Sequence, residues 1–221
     1  MKHIAIVTTA RAEYGLLKPV IHLVQESSSL NLRLIVSGTH LSEAHGKTIN
    51  VIKKDGFNIA ASIDINLEDN SKRGICDSFS LATTGFSAYL QSNNIDCVLL
   101  LGDRFEILAF AVAALLHNIP IAHIHGGEIT AGAIDDSIRH SVTKLSNLHF
   151  AATSHYADRI KQMGELSDHV FDVGGLGVDV ISQVELLSSV ELSASLGVDF
   201  SSYSRRFIIT FHPETRNTDS G

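Results

Sequence analysis

The chain has 221 residues, 44% hydrophobic and 19% charged, with a formal net charge of −7. That is material for one large domain or one and a half ordinary ones, and the charge argues against nucleic acid, whose backbone demands surplus Lys and Arg. No apolar stretch approaches the ~20 residues of a membrane helix, and Met1-Lys2-His3 with its short apolar sequel is too brief for a signal peptide, so a cytoplasmic protein away from membranes is expected. Cys76 and Cys97 are too few for a disulfide framework and show no metal-ligand spacing; both read as buried free thiols.

Along the chain, short aliphatic runs alternate with segments of helical period. Strands are predicted at His3–Val7, Leu32–Val36, Ile59–Ile63, Cys97–Leu101, Ile119–Ile124, Leu148–Ala152, Val170–Val173 and Phe207–Thr210. Helices are predicted at Glu13–Gln25, His45–Lys54, Cys76–Ser92, Phe105–His117, Asp136–Ser146, Tyr156–Met163 and Val180–Leu187. Such alternation predicts an α/β fold, a doubly wound, Rossmann-like parallel sheet covered on both faces. Cys97-Val98-Leu99-Leu100-Leu101 has the unbroken apolar character of a central strand. The first domain is expected over residues 1–176 and a helical, Ser-rich connection over 177–204. Residues 205–221 are expected to open a second Rossmann-like domain, because the lone strand Phe207–Thr210 cannot bury its own faces.

In an open parallel sheet, ligands bind outside the carboxyl ends of the strands. Those ends carry Thr8-Thr9-Ala10-Arg11-Ala12-Glu13-Tyr14-Gly15, Ser37-Gly38-Thr39-His40, Gly102-Asp103-Arg104-Phe105-Glu106, His125-Gly126-Gly127-Glu128 and Gly174-Gly175. One such turn reads as an ordinary connection, with Asp103 as a helix cap. Several on one edge, bearing Arg, Asp, His and Glu, read as a ligand cleft. The first turn holds Gly15 alone where a dinucleotide site needs G-x-G-x-x-G, which argues against NAD or FAD. Arg11 beside a helix N-terminus suits an anion such as a diphosphate; the alternative is a surface pair with Glu13.

The densest chemistry lies between His123 and His140. His123 and His125, two apart on a strand end, are expected to point the same way. Glu128 follows a glycine pair that allows a tight turn; Asp135 and Asp136 open a helix, with Arg139 and His140 one turn on. A metal site is one reading, since imidazole and carboxylate suit zinc or iron, but no second compact ligand pair accompanies it. A plainer reading makes Asp135 a cap, Asp136 a dipole charge and His123 a core histidine. It does not explain why His125, Glu128, Arg139 and His140 crowd together.

Thr9-Ala10-Arg11-Ala12-Glu13-Tyr14-Gly15, Gly102-Asp103-Arg104-Phe105-Glu106 and His123-Ile124-His125-Gly126-Gly127-Glu128 resemble motifs of the UDP-N-acetylglucosamine 2-epimerases. So do Ile134-Asp135-Asp136-Ser137-Ile138-Arg139-His140 with Thr143-Lys144, and Phe211-His212-Pro213-Glu214-Thr215, all in the expected order. Arg-Ala-Glu-Tyr-Gly and Gly-Asp-Arg-Phe-Glu are nearer the hydrolysing branch than the reversible one.

The resemblance implies two Rossmann-like domains in the glycosyltransferase-B arrangement, with a UDP-sugar between them. It implies hydrolysis of UDP-N-acetylglucosamine to UDP and N-acetylmannosamine through a glycal, without metal or redox cofactor. The same chemistry on UDP-N,N'-diacetylbacillosamine, or a non-catalytic sugar-nucleotide-binding domain, are the alternatives. Asp103 then matches an essential carboxylate, and one of Asp135 and Asp136 serves as acid/base on the sugar. Arg11, Arg104 and His212 match contacts to UDP, with Gly15 and His140 as further candidate contacts. His125 stands where relatives often carry glutamate, which leaves the C2 base open among His125, Glu128 and the Asp135–Asp136 pair. A homo-oligomer is expected, with Phe105–His117 as a possible apolar face. The 221-residue chain alone is expected to be nearly inactive, because the second domain should supply much of the UDP site.

Overall fold

β4 (Cys97–Leu101) is apolar at every position, and in the computed structural model, which describes residues 1–201 and 203–210, it is the middle strand of the sheet. The strands are β1 (Lys2–Thr8), β2 (Leu30–Ser37), β3 (Ile59–Ile63), β4, β5 (Ile121–Ile124), β6 (Leu148–Ala151) and β7 (Val170–Asp172). They run in the order β3-β2-β1-β4-β5-β6-β7, and every ladder is parallel. The helices are α1 (Arg11–Glu26), α2 (Ile49–Lys54), α3 (Lys72–Ser92), α4 (Phe105–Leu116), α5 (Asp135–Leu145), α6 (Ser154–Gln162), α7 (Leu176–Gln183) and α8 (Ser189–Leu196).

Alternation along the strands sends successive side chains into two cores. Val98 and Leu100 join Ala5, Val7 and Ile121 beneath α3, α4 and α5, where Phe86 and Phe110 meet edge to face at 4.9 Å. Leu99 and Leu101 join Ile6, Leu34 and Ile124 on the other face, against Leu17 and Ile21 of α1 and Ile52 of α2. The doubly wound, Rossmann-like sheet is therefore the observed fold. Its winding reverses between β1 and β4, which are neighbours although α1, β2, α2, β3 and α3 lie between them in sequence, and this opens a crevice at their carboxyl ends.

Several expectations change. Cys76 is exposed, because α3 buries the stripe Gly74, Ser78, Ala82, Phe86 and Leu90, and Cys76 lies off it; Cys97 is only partly covered. α2 begins at Ile49 because a short 3-10 turn, Glu43–His45, ends in Gly46 at φ 80°. α4 does not offer a broad apolar face: Ile107, Ala109, Phe110, Ala111, Ala113 and Ala114 are buried, leaving Leu115 and Leu116 exposed in its last turn. The Ser-rich stretch contains α8, which begins with a capping box between Ser188 and Glu191. Phe207–Thr210 joins no ladder among the described residues, and Phe207, Ile208 and Ile209 are 83%, 96% and 89% exposed. Nor is any helix among the described residues long and apolar enough to cross a membrane.

Candidate active site

β4 ends at Leu101, and Gly102 turns the chain so that Asp103 stands over the sheet edge just before α4. Arg104, not Asp103, occupies the helix N-cap position, and no side-chain cap bond forms there. The Asp103 carboxylate instead receives Arg139 Nη2 from α5. Arg139 is only 7% exposed and gathers the whole site. Its Nη1 donates to Glu128 Oε2 and to the His125 carbonyl, both at 3.2 Å, and its Nη2 also donates to Thr130 Oγ1 at 2.9 Å. Burial raises the Asp103 pKa; the Arg139 charge opposes this, while Asp135 and Glu128 reinforce it.

β5 delivers His123 and then ends at Ile124, so the strand alternation does not extend to His125. His125 turns into the left-handed region at φ 64°, which overturns the expectation that the two imidazoles point together. His123 stays wholly buried in the core, whereas the His125 ring enters the site. His125 Nε2 accepts the Leu176 N–H at 3.4 Å and Nδ1 lies 3.3 Å from Glu128 Oε1. The acceptor role of Nε2 assigns the proton of the neutral ring to Nδ1, from which it donates to Glu128. Burial lowers the His125 pKa, outweighing the pull of Glu128, so the ring is neutral near pH 7. Gly127, at φ 76°, closes the turn; a Cβ there would sit 2.5 Å from the Tyr156 carbonyl.

The two aspartates that open α5 separate. Asp136 Oδ1 accepts the Thr130 N–H at 2.9 Å, and Oδ2 is 3.8 Å from His140 Nε2. Asp136 thus braces the loop before the helix, with His140 beside it one turn along α5. Asp135 is the first residue of α5, not its cap, and its charge acts on Asp103 and Arg104. Among the described residues no hydrogen bond engages its carboxylate.

Arg104 lies between two acids. Its Nη2 donates to Glu106 Oε1 at 2.7 Å, and its Nε is 3.7 Å from Glu13 Oε1. Glu13 itself accepts the Thr9 N–H and hydroxyl at 2.8 and 2.9 Å, joining the β1 and β4 turns across the crevice. Burial pushes the Glu13 carboxyl up to about 7, against the Thr9 hydrogen bonds and Arg104. Arg11 is exposed at the start of α1 and makes no ion pair with Glu13. Gly15 lies one turn along α1, beside Lys18, Val180 and Val184, and is not brought to the Asp103 cluster. His212 falls outside the described residues. No group of three or more His, Cys, Asp or Glu among the described residues is arranged to hold a metal ion.

The sequence placed Arg139 in the polar crowd without giving it a role, and it did not mark Glu13 and Glu106 as partners of Arg104. One signal for Arg139 was present: it follows Asp135 by four positions, one turn along the same helix face.

Carboxylates, a neutral imidazole and two arginines thus gather at the switch point of a Rossmann-like sheet, the edge at which such sheets bind their ligands. The profile of the UDP-N-acetylglucosamine 2-epimerases matches residues 22–220, and the chain belongs to that family. It is 41% identical over 220 residues to polysialic acid biosynthesis protein P7 of Escherichia coli, covering 100% of this chain and 56% of that one. It is 40% identical over 216 residues to the GDP/UDP-N,N'-diacetylbacillosamine 2-epimerase (hydrolyzing) of Campylobacter jejuni, covering 98% and 56%. The chain thus spans just over half the length of these relatives. Among solved structures, UDP-GlcNAc 2-epimerase from Neisseria meningitidis bound to UDP-GlcNAc superposes with a TM-score of 0.73 at 21% identity, over 88% of this chain and 50% of that one.

Proposed function

We propose that the chain carries the first half of the active site of a hydrolysing 2-epimerase, which converts UDP-N-acetylglucosamine to UDP and N-acetylmannosamine. The observation that carries this reading is the convergence of Asp103, Glu128 and His125 on Arg139 at the switch point, with Asp135 acting on Asp103. A base removes the proton at sugar C2 while the C1–O bond breaks and UDP departs with the electron pair. Water then adds to the resulting glycal with inversion at C2. The environments suit proton transfer: burial raises the Asp103 pKa, against the pull of Arg139, and lowers that of His125, which brings the two groups' proton affinities closer together. We assign the base to the His125–Glu128 pair and the acid to Asp103 with Asp135. Arg104 and Arg11 would meet the diphosphate, joined by His212 and a second Rossmann-like domain. A cytoplasmic, homo-oligomeric enzyme belongs to the same proposal.

A second reading takes UDP-N,N'-diacetylbacillosamine as substrate; the 40% identity to the Campylobacter enzyme favours it. The full-length protein should be given each UDP-sugar in parallel, with UDP release measured and Asp103→Asn as control. Faster release from UDP-N-acetylglucosamine supports the first reading, and the reverse order supports the second. Binding of UDP with no release from either sugar leaves a non-catalytic binding domain.

A further inference from the structure

Behind the Asp103–Arg139 pair lies a histidine to which the proposed reaction gives no task. His123 is 0% exposed on β5. Its Nε2 is 2.8 Å from the Gly102 carbonyl and its Nδ1 is 3.3 Å from Thr143 Oγ1. Gly102 immediately precedes Asp103. Thr143 sits one turn beyond Arg139 on α5, and its hydroxyl is 2.9 Å from the Arg139 carbonyl. One imidazole therefore reaches the backbone segments that carry both members of the ion pair. A third segment presses on the same ring: a Cβ on Gly126 would lie 3.0 Å from both His123 Nδ1 and Thr143 Oγ1, so the turn bearing His125 and Glu128 rests against it.

The proton position follows from the partners. A carbonyl oxygen only accepts, so Nε2 carries the hydrogen and donates to Gly102. The single Thr143 hydroxyl proton is shared in a three-centre bond, chiefly with the Arg139 carbonyl at 2.9 Å and more weakly with Nδ1 at 3.3 Å. Burial holds the ring in this neutral form, pushing its pKa down to about 3, and the nearby His149, Arg139 and His125 add to the effect.

We propose that His123 is a positioning residue for the Asp103–Arg139 pair, fixing the β4–α4 turn through Nε2–H and the Arg139-bearing stretch of α5 through Nδ1 and Thr143. It touches no reacting atom. It sets where the Asp103 carboxylate stands relative to its arginine, and so how readily that carboxyl gives up its proton. Second-layer partners of this kind typically change activity by ~10–100-fold when removed.

The inference rests on the acid/base reading of Asp103, and the test separates the two. In the 221-residue chain, ¹⁵N spectra of the histidine rings should show His123 as the Nε2–H tautomer, neutral throughout pH 5–8. ¹³C titration should show the Asp103 carboxyl shifted in His123→Leu, which loses both hydrogen bonds. His123→Gln, whose amide can still donate to the Gly102 carbonyl, should return that titration towards wild type. In the full-length enzyme, His123→Leu should lower kcat for UDP release by ~10–100-fold with KM within about twofold, and Gln should recover most of it. An Nδ1–H tautomer, or an Asp103 titration unchanged in a folded Leu variant, overturns the proposal. Should the Leu variant not fold, His123→Asn, whose short amide cannot reach Gly102, takes its place with the same expected shift. If wild-type full-length protein releases no UDP, the functional reading fails while the carboxyl titration still decides the positioning role.

Discussion

The Asp136 carboxylate accepts the Thr130 backbone N–H at 2.9 Å, and this bond divides the labour between Asp136 and its neighbour Asp135. An acceptor is all that Asp136 must supply, and an asparagine Oδ1 supplies one. Asp136→Asn should therefore keep UDP release within a few-fold of wild type. Asp135→Asn removes a charge that acts on Asp103 and Arg104, and should lower kcat by ~10²–10⁴-fold, the usual range for an acid/base group. Parallel kinetics of the two variants decide the matter; equal losses would return Asp136 to the chemistry.

Arg139 holds Asp103 and Glu128 together, with its own side chain 9% exposed and theirs 21% and 24%. Arg139→Met leaves two carboxylates facing each other without their cation. Breaking a buried pair in this way costs ~3–5 kcal/mol, and the partial exposure of both acids brings the expected loss to about 2–3 kcal/mol. Urea unfolding at pH 8 measures it. The deficit should shrink as pH falls, because the orphaned acids then protonate and the repulsion between them ends.

The fold was readable because its central strands are buried on both faces. β4 was predicted to the residue from its unbroken apolar run, and so was the edge strand β3, where Ile59 and Ile63 share one face and the exposed Ala60 and Ser62 the other. The site was readable as an edge, because Asp103, His125 and Glu128 all lie in the turns that follow the strand ends Leu101 and Ile124. Its wiring was not. Arg139 meets Asp103 across 36 residues of sequence, a distance no local period encodes. Glu13 and Glu106 stand in the first turns of α1 and α4, where an acid ordinarily serves the helix dipole, so their burial around Arg104 left no mark on the pattern. The direction of His125 depended on a left-handed φ that histidine adopts more readily than most side chains but still too rarely to be read from the sequence.

Gly127 offers a test of how tightly the base is held. It combines φ 76° with a Cβ position 2.5 Å from the Tyr156 carbonyl and 2.9 Å from Ile160 Cγ1. Gly127→Ala must distort the turn or displace α6, at a cost of ~1–3 kcal/mol in stability. Because Arg139 Nη1 reaches the His125 carbonyl just before this turn, kcat should fall along with the unfolding midpoint. A stable variant with a lowered midpoint and wild-type kcat would show that the His125–Glu128 pair tolerates movement.

Glu13 gives the pH dependence its sign. Its pKa is raised from 4.5 to about 7 in the folded chain, chiefly by burial, so between those values the folded state binds more protons than the unfolded one. Stability from this group is fully present below pH 4.5 and is lost as pH rises through 7, by on the order of 3 kcal/mol in total. Two buried histidines work the other way: burial lowers His40 to about 4 and His123 to about 3, so their contribution is present above 6.5 and lost as pH falls below it. The opposing trends overlap, and only a variant isolates one of them. Glu13→Gln retains an acceptor for the Thr9 N–H and hydroxyl but cannot ionise. Urea unfolding of both proteins from pH 5 to pH 9 should show the variant gaining on wild type steadily up to about pH 8, then running parallel. Curves parallel across the whole range would mean that Glu13 is ionised throughout and that Arg104 compensates its buried charge.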